Sequence, residues 1–352
     1  MKPILPLLLR RSLLASLLVP IISLSFSASA ADFMVDASQY SDPNNNIYST
    51  LEELVSSVAL VAGDTVILNN DDASLTTGLT VPVNFRSADP AALCAVDLSG
   101  LGKNPLYNLG AGEYTLEMDS VIWSNGAAGV IRTADDNVSL EITGEVQFLN
   151  NHVDNSNNSA YGGAIDMEGD HATLTLGNNV TFSGNYASSD SYSISTSSGG
   201  AIYMQGVNSF LTICNGAIFT NNYSSTYGGA IYLQGITTDN SSRFLAFTHD
   251  VLFSGNMTGG TFTQHNDGSF SVVNGVANAI HVDGTNHLQL AAAQGKEVRF
   301  NDPITSAAYF SSTENVTLSL NQYTDDDGIS HTTDGTVCLL YTSPSPRDRT
   351  RS

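Results

Sequence analysis

Short strands of alternating polarity dominate the hydrophobic pattern of the chain from Leu79 onward. Apolar and polar residues alternate in segments of four or five residues, which is the period of a strand with one buried face. Clusters of Asn, Gly, Asp and Ser separate these segments, and no long apolar pattern of helical period follows Gly63. The pattern predicts an all-β fold, with strands at 114–118, 139–142, 172–176 and 210–213 among the clearest.

One short amphipathic helix is predicted before these strands. Ser49 and Thr50 are followed by a pair of glutamates that includes Glu53, which is a capping-box pattern. A strand is predicted at 64–68, directly after Gly63. A single helix before a long run of strands suits a cap over the open hydrophobic end of a solenoid. The apolar face of the helix consists of Leu51, Leu54, Val55 and Val58.

Two motifs, Gly-Gly-Ala-Ile and Phe-x-x-Asn, alternate along the middle of the chain. Such alternation indicates stacked repeats, and the uneven spacing of the motifs predicts a variable loop in each coil. Weaker copies lie upstream at Trp123 and 129–131, and downstream at 276–280 and Phe300. A further Phe-x-x-Asn copy spans 148–151. The candidate structural residues of the intact copies are Gly162, Gly163, Ala164, Ile165, Phe182, Asn185, Gly199, Gly200, Ala201, Ile202, Phe219, Asn222, Gly228, Gly229, Ala230, Ile231, Phe253 and Asn256.

Each motif has a physical interpretation. Tandem glycines permit positive φ or close approach of the backbones of stacked coils. Phe and Ile point into the core, while the Asn can adopt the left-handed conformation and bond neighbouring backbone. Asn side chains stacked in successive coils could form a hydrogen-bonded ladder. Since a sandwich would not need the same turn motif repeatedly, we predict a parallel β-helix of about a dozen coils, roughly 60 Å long.

The two ends of the chain differ from its middle. Residues 1–30 begin with basic residues and continue with an apolar run that is shorter than the roughly 20 residues of a membrane span. Ala28-Ser29-Ala30 then provides small residues at a cleavage site, so this segment predicts a secretory signal peptide. Residues 338–352 resemble translated sequencing-adapter read-through, the alternative being a genuine basic tail. We therefore expect a non-native tail and a truncated gene product.

Charge excludes several classes of partner. Between 31 and 337 there are only 6 basic residues and 33 acidic ones, a net charge of −27. This surface repels nucleic acid and anionic lipid, and apolar residues are plentiful enough for a folded protein. Calcium ions would be attracted, but no grouping of residues supports a site, and no cofactor is predicted. Cys94 and Cys214 are expected to be small buried residues too far apart for a disulfide, and no metal site is predicted.

No catalytic residue is predicted. Adjacent acids occur at 71–72, 135–136 and 325–327, but neighbouring residues on a strand face opposite sides, so we interpret these as solvated loop acids. The sharpest catalytic candidate is Arg132 beside Asp135 and Asp136. A nucleophile elbow is absent from the sequence, and its histidines are scattered without zinc-binding spacing. These are His152, His171, His249, His265, His281, His287 and His331.

Two tyrosines are candidate binding residues. Tyr203 and Tyr232 follow the Ile of their motifs and are expected to face outward. Exposed stacked rings could bind a carbohydrate or a protein, whereas the simpler interpretation is packing between coils. In a eukaryotic source, Asn-x-Ser/Thr sequons would be plausible glycan sites. The sequons lie at Asn179, Asn222, Asn240, Asn256 and Asn315.

The alternating motifs, over roughly Phe148 to Pro303, resemble the repeat of the chlamydial polymorphic outer-membrane proteins and related autotransporter passengers. The resemblance implies a right-handed, pectin-lyase-like β-helix passenger, a C-terminal outer-membrane barrel and a role in adhesion at the cell surface. The sequence departs from this pattern, since no barrel-like series of ten-residue strands follows the repeats. Attachment to the outer membrane is therefore an inference.

The sequence therefore predicts five segments: a signal peptide at 1–30, a cap and first coils at 31–113, repeats at 114–306, further coils at 307–337 and the tail at 338–352. We expect an exported surface passenger that binds an unidentified surface glycan or protein, with no catalysis. The alternative is a secreted β-helical enzyme, a lyase or glycoside hydrolase that cleaves polysaccharides.

Overall fold

The computed structural model of the protein describes residues 30–69, 73–155, 159–189, 197–234, 244–247, 250–283, 286–306, 316–324 and 330–339. Within these ranges the chain forms strands in several parallel sheets, one α-helix and two short 3₁₀ helices. Successive strands of a sheet come from successive coils, because each coil pairs with the coils before and after it. The predicted all-β parallel β-helix is confirmed.

Three long sheets, which we call sheets 1, 2 and 3, form the walls of the β-helix. Sheet 1 contains, in spatial order, Ile47–Tyr48, Asp32–Val35, Thr65–Leu68, Asn84–Ser87, Gly112–Asp119, Val138–Thr143, Thr173–Leu176, Phe210–Ile213, Phe244–Phe247, Asn286–Leu290 and Val316–Leu320. Sheet 2 contains Tyr107–Asn108, Ile131–Thr133, Ile165–Met167, Ile202–Gln205, Ile231–Gln234, Ile280–Asp283 and Ile304–Ser306. Sheet 3 contains Ala73–Ser74, Cys94–Asp97, Val121–Ser124, Val146–Leu149, Thr181–Ser183, Ala217–Thr220, Val251–Ser254, Glu297–Phe300 and Thr336–Leu339.

Smaller elements accompany the three long sheets. A narrow side sheet follows sheet 3 along the chain, and its last strand runs antiparallel. Its strands are His152–Asp154, Tyr186–Ser188, Tyr223–Ser224, Met257–Thr258 and Val276–Ala277. Two antiparallel hairpins pair Thr261–Gln264 with Phe270–Val273 and Gln322–Thr324 with Ser330–Thr332. The 3₁₀ helices are Pro43–Asn45 and Ser99–Leu101.

The predicted helix is present at Leu51–Ser57, beside the first strands of the stack. Its N-cap Thr50 accepts a hydrogen bond from the backbone N–H of Glu53 (3.1 Å), and the Glu53 carboxylate accepts one from the N–H of Ser49 (3.2 Å). These contacts satisfy N–H groups that an isolated helix end leaves unpaired. Leu51 and Leu54 are completely buried, so the apolar face covers the core as the sequence predicted.

The phenylalanines of the Phe-x-x-Asn motifs form one continuous stack inside the β-helix. Neighbouring ring centroids lie 4.6–4.9 Å apart and the rings are within 8° of parallel. All members are buried, and Trp123 lies in register before the first of them. Stacking at the strand spacing lets every ring bury both faces against its own kind. The stack consists of Phe148, Phe182, Phe219, Phe253 and Phe300.

The asparagines three residues later form a buried hydrogen-bonded ladder. The Nδ2 of Asn185 donates to Oδ1 of Asn222 (3.0 Å), and the Nδ2 of Asn222 donates to Oδ1 of Asn256 (2.9 Å). Each Nδ2 also donates to the carbonyl of an aromatic residue in the coil before, Trp123 for Asn151 and a Phe for the others, as from Asn222 to Phe182 at 3.0 Å. Each Oδ1 accepts as well from a backbone N–H, so the amide is fully used. The ladder comprises Asn151, Asn185, Asn222 and Asn256.

A carboxylate ends this ladder. Oδ2 of Asp302 accepts from both the backbone N–H and the Nδ2 of Asn256 (2.8 Å each), and its Oδ1 accepts from the N–H of Gly255 (3.0 Å). Asp302 is only 4% exposed. A carboxylate has acceptors and no donor, so it ends a chain of donated hydrogen bonds without leaving an unpaired amide hydrogen.

The two glycines of each Gly-Gly-Ala-Ile motif have different roles. The first has positive φ, with values of 56°, 68° and 64° at Gly162, Gly199 and Gly228. The second lies against the next coil: a Cβ on Gly163 would stand 2.2 Å from the carbonyl oxygen of Gly200. The motif therefore needs one glycine for conformation and the other for space.

The position of the left-handed residue in Phe-x-x-Asn differs from the prediction. Positive φ occurs at the residue before the ladder asparagine, at Asn150 (54°), Gly184 (66°), Asn221 (54°) and Gly255 (73°). The ladder asparagines themselves are not among the positive-φ residues. The turn is thus made one residue earlier, which leaves the following side chain pointing into the stack.

We expect Asn222→Ala to lower the free energy of unfolding by about 3 kcal/mol. The substitution leaves the buried donors of Asn185 and the acceptors of Phe182 and Asn256 without hydrogen-bond partners. Chemical denaturation measures this loss. Asn266→Ala, at an exposed hairpin position, is the matched control and should change stability by less than about 0.5 kcal/mol. Equal effects of the two substitutions would contradict a structural role for the ladder.

Candidate functional site

The outward residues of sheet 2 form a column that runs across successive coils. Each residue follows the inward Ile of its strand, and the registers of the strands place the residues directly above one another. We call this set the outer column. Its members are Arg132, Asp166, Tyr203, Tyr232, His281 and Thr305.

Half of the outer column is aromatic. Tyr203 and Tyr232 stack with centroids 5.3 Å apart, and His281 continues the stack 5.5 Å beyond Tyr232 with its ring tilted by 1°. The tyrosines are only 2% and 6% exposed, so they do not form the exposed stack that the binding interpretation requires. Their burial favours the simpler interpretation of packing between coils.

A second layer of rings covers this aromatic half. Tyr161 stacks on Tyr203 at 4.3 Å, and Tyr227 stacks on His281 at 4.4 Å. Both covering tyrosines immediately precede a Gly-Gly-Ala-Ile motif, and they lie in register with Ser198 between them. Because the backbone turns back over the sheet at the positive-φ glycine, the residue before it lies over the outer face. Sequence periodicity along a single strand does not reveal this covering layer.

The other half of the outer column is charged. Arg132 Nε lies 3.4 Å from Oδ2 of Asp166, and its Nη2 lies 3.1 Å from Oε1 of Glu168. Asp166 is 5% exposed, and no protein atom bonds its Oδ1. Burial, helped by the charge of Glu168 and opposed by Arg132, raises the pKa of Asp166 well above its ordinary value. The Asp166 carboxyl group therefore lies beside a second acidic side chain, that of Glu168.

These charged residues line a cleft of about 560 Å³ between sheet 2 and the side sheet, which we call the polar cleft. Lys103 enters from the loop after the second 3₁₀ helix, and Asp154 from the first strand of the side sheet. Tyr161 lies at its edge. The cleft therefore gathers two cations, three carboxyl groups and an aromatic ring from four separate stretches of the chain.

The predicted grouping of Arg132 with Asp135 and Asp136 is not the one that the fold assembles. Both aspartates lie on an exposed turn, and Asp136 accepts a hydrogen bond from the N–H of Asp170 (2.9 Å). Arg132 instead pairs with acids one coil further on, which adjacency in sequence does not indicate. Acids at 71–72 and 325–327 lie outside the described residues.

Asp166 and Glu168 are the residues that sequence reasoning missed. The available clue was positional: Asp166 follows an inward Ile exactly as Tyr203 does, so the two share an outward face. Only the strand pairing shows that Arg132 occupies the same position in the preceding coil.

The remaining predicted chemical groups are dispersed. No three His, Cys, Asp or Glu side chains among the described residues come together as a metal site. Cys94 is buried as expected, whereas Cys214 is only half-buried, and no disulfide joins them. His171 and His265 are exposed, and His152 and His331 are half-buried. His249 and the side chain of His287 lie outside what the structure describes.

The sequons also separate into classes. Asn222 and Asn256 are completely buried in the ladder, so neither can carry a glycan in the folded protein. Asn179 is exposed, and Asn240 and Asn315 lie outside the described residues.

His281 should make stability depend on pH. Burial lowers its pKa from 6.5 to about 4, and the neighbouring Asp283 opposes this only in part. As the pH falls, the unfolded chain takes up the proton first, so this contribution is complete above pH 6.5 and is lost on approaching pH 4. We expect a loss of about 3 kcal/mol over that interval.

The measurement is the unfolding midpoint of the protein and of His281→Phe at several pH values. Phe keeps an aromatic ring in the stack but has no proton to gain, so its stability should fall less over the same interval. Parallel curves for the two proteins would show that His281 is not the titrating group. Acids elsewhere affect both curves alike and cancel in the difference.

Comparison with known proteins bears on the repeats. The Chlamydia polymorphic membrane protein (Chlamydia_PMP) repeat matches residues 179–205 and 216–234, which include ladder residues Asn185 and Asn222. No curated protein and no solved structure matches the chain significantly. Among the described residues, no helix is long and apolar enough to cross a membrane. The predicted resemblance is confirmed over these coils: the chain carries the repeat of the Chlamydia polymorphic membrane proteins, a family of surface and outer-membrane proteins.

Proposed function

We propose that the protein is the exported passenger of an autotransporter-like surface protein and acts as an adhesin or interaction scaffold without catalysis. The observation that carries this proposal is the match to the Chlamydia polymorphic membrane protein repeat within a β-helix whose inward residues stay in register from Ile131 to Ile304. Such a stack presents long outer faces that tolerate insertions, which suits binding to another surface.

Two features of the outer faces support a scaffold. The ladder asparagines are separated by 34 or 37 residues, and the last of them lies 46 residues before Asp302, yet the rungs stay aligned. The additional residues are placed outside, where Thr261–Gln264 and Phe270–Val273 form a hairpin. Variable loops on a rigid scaffold are a common way to build binding surfaces.

The alternative, a polysaccharide-cleaving enzyme, has one supporting observation. Asp166, whose pKa burial raises, and Glu168 place two carboxyl groups side by side in the polar cleft, and general acid–base chemistry uses carboxyl pairs with different pKa values. Against it, the ion pair of Arg132 to both acids already accounts for their proximity. Burial within a structural ion-pair network perturbs the pKa of a carboxyl group as readily as an active site does.

Adhesion is tested with beads coated with the purified protein and applied to cultured epithelial cells. We expect coated beads to bind several-fold more than beads carrying the same protein after thermal unfolding, because binding requires the ordered outer faces. Excess soluble protein should compete. Equal binding by folded and unfolded coatings would contradict a role for the β-helix.

The absence of catalysis is tested by incubating the protein with polygalacturonate, cellulose and chitin fragments and measuring new reducing ends and unsaturated products. We expect no product above the background of a buffer control. Product formation that disappears in Asp166→Asn, with folding retained, would establish the enzyme alternative instead.

A further inference from the structure

The polar cleft is unusual in its charge. Between 31 and 337 the chain has only 6 basic residues, and two of them, Lys103 and Arg132, line this one cleft. Arg132 is held by Asp166 and Glu168, whereas Lys103 forms no ion pair with any described residue. Lys103 and Arg132 thus bring an ammonium group and a guanidinium group to the wall of one cleft in a very acidic protein. This placement indicates that hydrogen-bond donors have a role in the cleft.

The buried side of the cleft offers an unused polar atom. Oδ1 of Asp166 lies at a residue that is 95% buried, and no protein donor or acceptor reaches it. Buried polar atoms are nearly always hydrogen-bonded, because leaving one unpaired costs about 1–3 kcal/mol. Oδ1 is itself closed off from solvent, so this atom belongs to the wall of the cleft and is not a contact for a ligand within it.

The remaining polar groups on its wall complete a mixed set. Glu168 is half-buried and Asp154 is exposed, and both can accept hydrogen bonds that Lys103 and Arg132 cannot. Tyr161 adds a half-buried ring that is already fixed against Tyr203. The volume of about 560 Å³ lies within the range of about 300–1,000 Å³ that is usual for pockets binding small molecules.

This chemistry excludes several ligand classes. A metal ion would face the two cations, and no three metal-ligating side chains gather among the described residues. A nucleic acid or another polyanion would meet the cleft carboxylates and the negative charge of the protein. A basic peptide would meet Lys103 and Arg132. A neutral ligand whose hydroxyl groups both donate and accept fits donors and acceptors at once, and a sugar ring packs on an aromatic side chain.

We propose that the polar cleft binds a neutral saccharide, with Lys103 and Arg132 donating to its hydroxyl groups, Glu168 and Asp154 accepting from them, and Tyr161 packing against a ring face. This inference rests on the proposed binding function and names its ligand class. A neutral saccharide brings no charge into the acidic field of the protein.

The test is an array of neutral, sulfated, uronic-acid and sialylated oligosaccharides probed with the folded protein, followed by calorimetric titration with the best neutral oligosaccharide. We expect binding to neutral oligosaccharides, weakened at least tenfold by Lys103→Ala and by Glu168→Gln. Both residues reach the solvent side of the cleft, so their melting temperatures should stay within a few degrees of the parent protein.

Matched controls carry the same chemical change elsewhere. Lys296→Ala removes an ammonium group that pairs with Asp250 away from the cleft, and Glu113→Gln neutralises an exposed acid of sheet 1. Neither should alter saccharide affinity. Equal weakening by cleft and control variants would overturn the proposal, as would binding confined to acidic oligosaccharides.

The outcomes separate this inference from the proposed function. If coated beads adhere to cells but no neutral oligosaccharide binds, the cleft inference is false and the scaffold function stands. If neither adhesion nor saccharide binding occurs, both are false. If saccharide binding is lost in the cleft variants while Tyr161→Ala also weakens it, the assignment of the ring is supported together with that of the polar groups.

Discussion

The hydrogen-bonded asparagine ladder is the interaction on which the rest of the structure depends. Asn185, Asn222 and Asn256 each donate both amide hydrogens and accept twice, with partners in the coils on either side. Because these groups are completely buried, a slip of one residue in any coil would leave several of them without partners. Such a slip would also turn each stacked Phe to the other face of its strand, whereas the apolar contacts themselves, which are not directional, tolerate small sliding of the rings. The ladder therefore enforces the register, and the aromatic stack supplies the burial.

A strict inner register leaves the outside free to vary. Between rungs the chain makes loops of different length, and the longest described insertion forms a hairpin whose Phe262 and Phe270 pack against Tyr186 and Tyr223 of the side sheet. The same register also aligns the outward residues. Each coil contributes one residue to the outer column, so the chemistry of the column at each level is set by that residue. Where successive coils carry an aromatic residue at this position, the rings stack. Where one coil carries Arg132 and the next carries Asp166, the two side chains form an ion pair. The polar cleft thus follows from stacking rather than from any local motif.

The repeats made much of the interior predictable. The degraded copies at Trp123, 129–131 and 276–280 occupy the same positions as the intact ones, with Ile131 and Ile280 in register with the motif isoleucines. The helix cap was equally predictable from the sequence, because its hydrogen bonds join residues that are close in the chain. The sequence placed Tyr203 on the correct outward face. It did not predict that Tyr203 is buried, because the ring that covers it belongs to the turn of another coil. Arg132 was paired with the wrong acids for the same reason.

By itself, the sequence determined the class of fold, the inward residues and, to within one residue, the positions of the turns. Each of these depends on the period of the strand, on glycine conformation or on capping, which act within a few residues. Only the tertiary structure decided which outward residues are buried and which charges meet. Those contacts join residues of different coils, as in the pair of Arg132 with Asp166, and depend on the register between coils. The candidate site consists entirely of such contacts, which is why it became visible only in the folded chain.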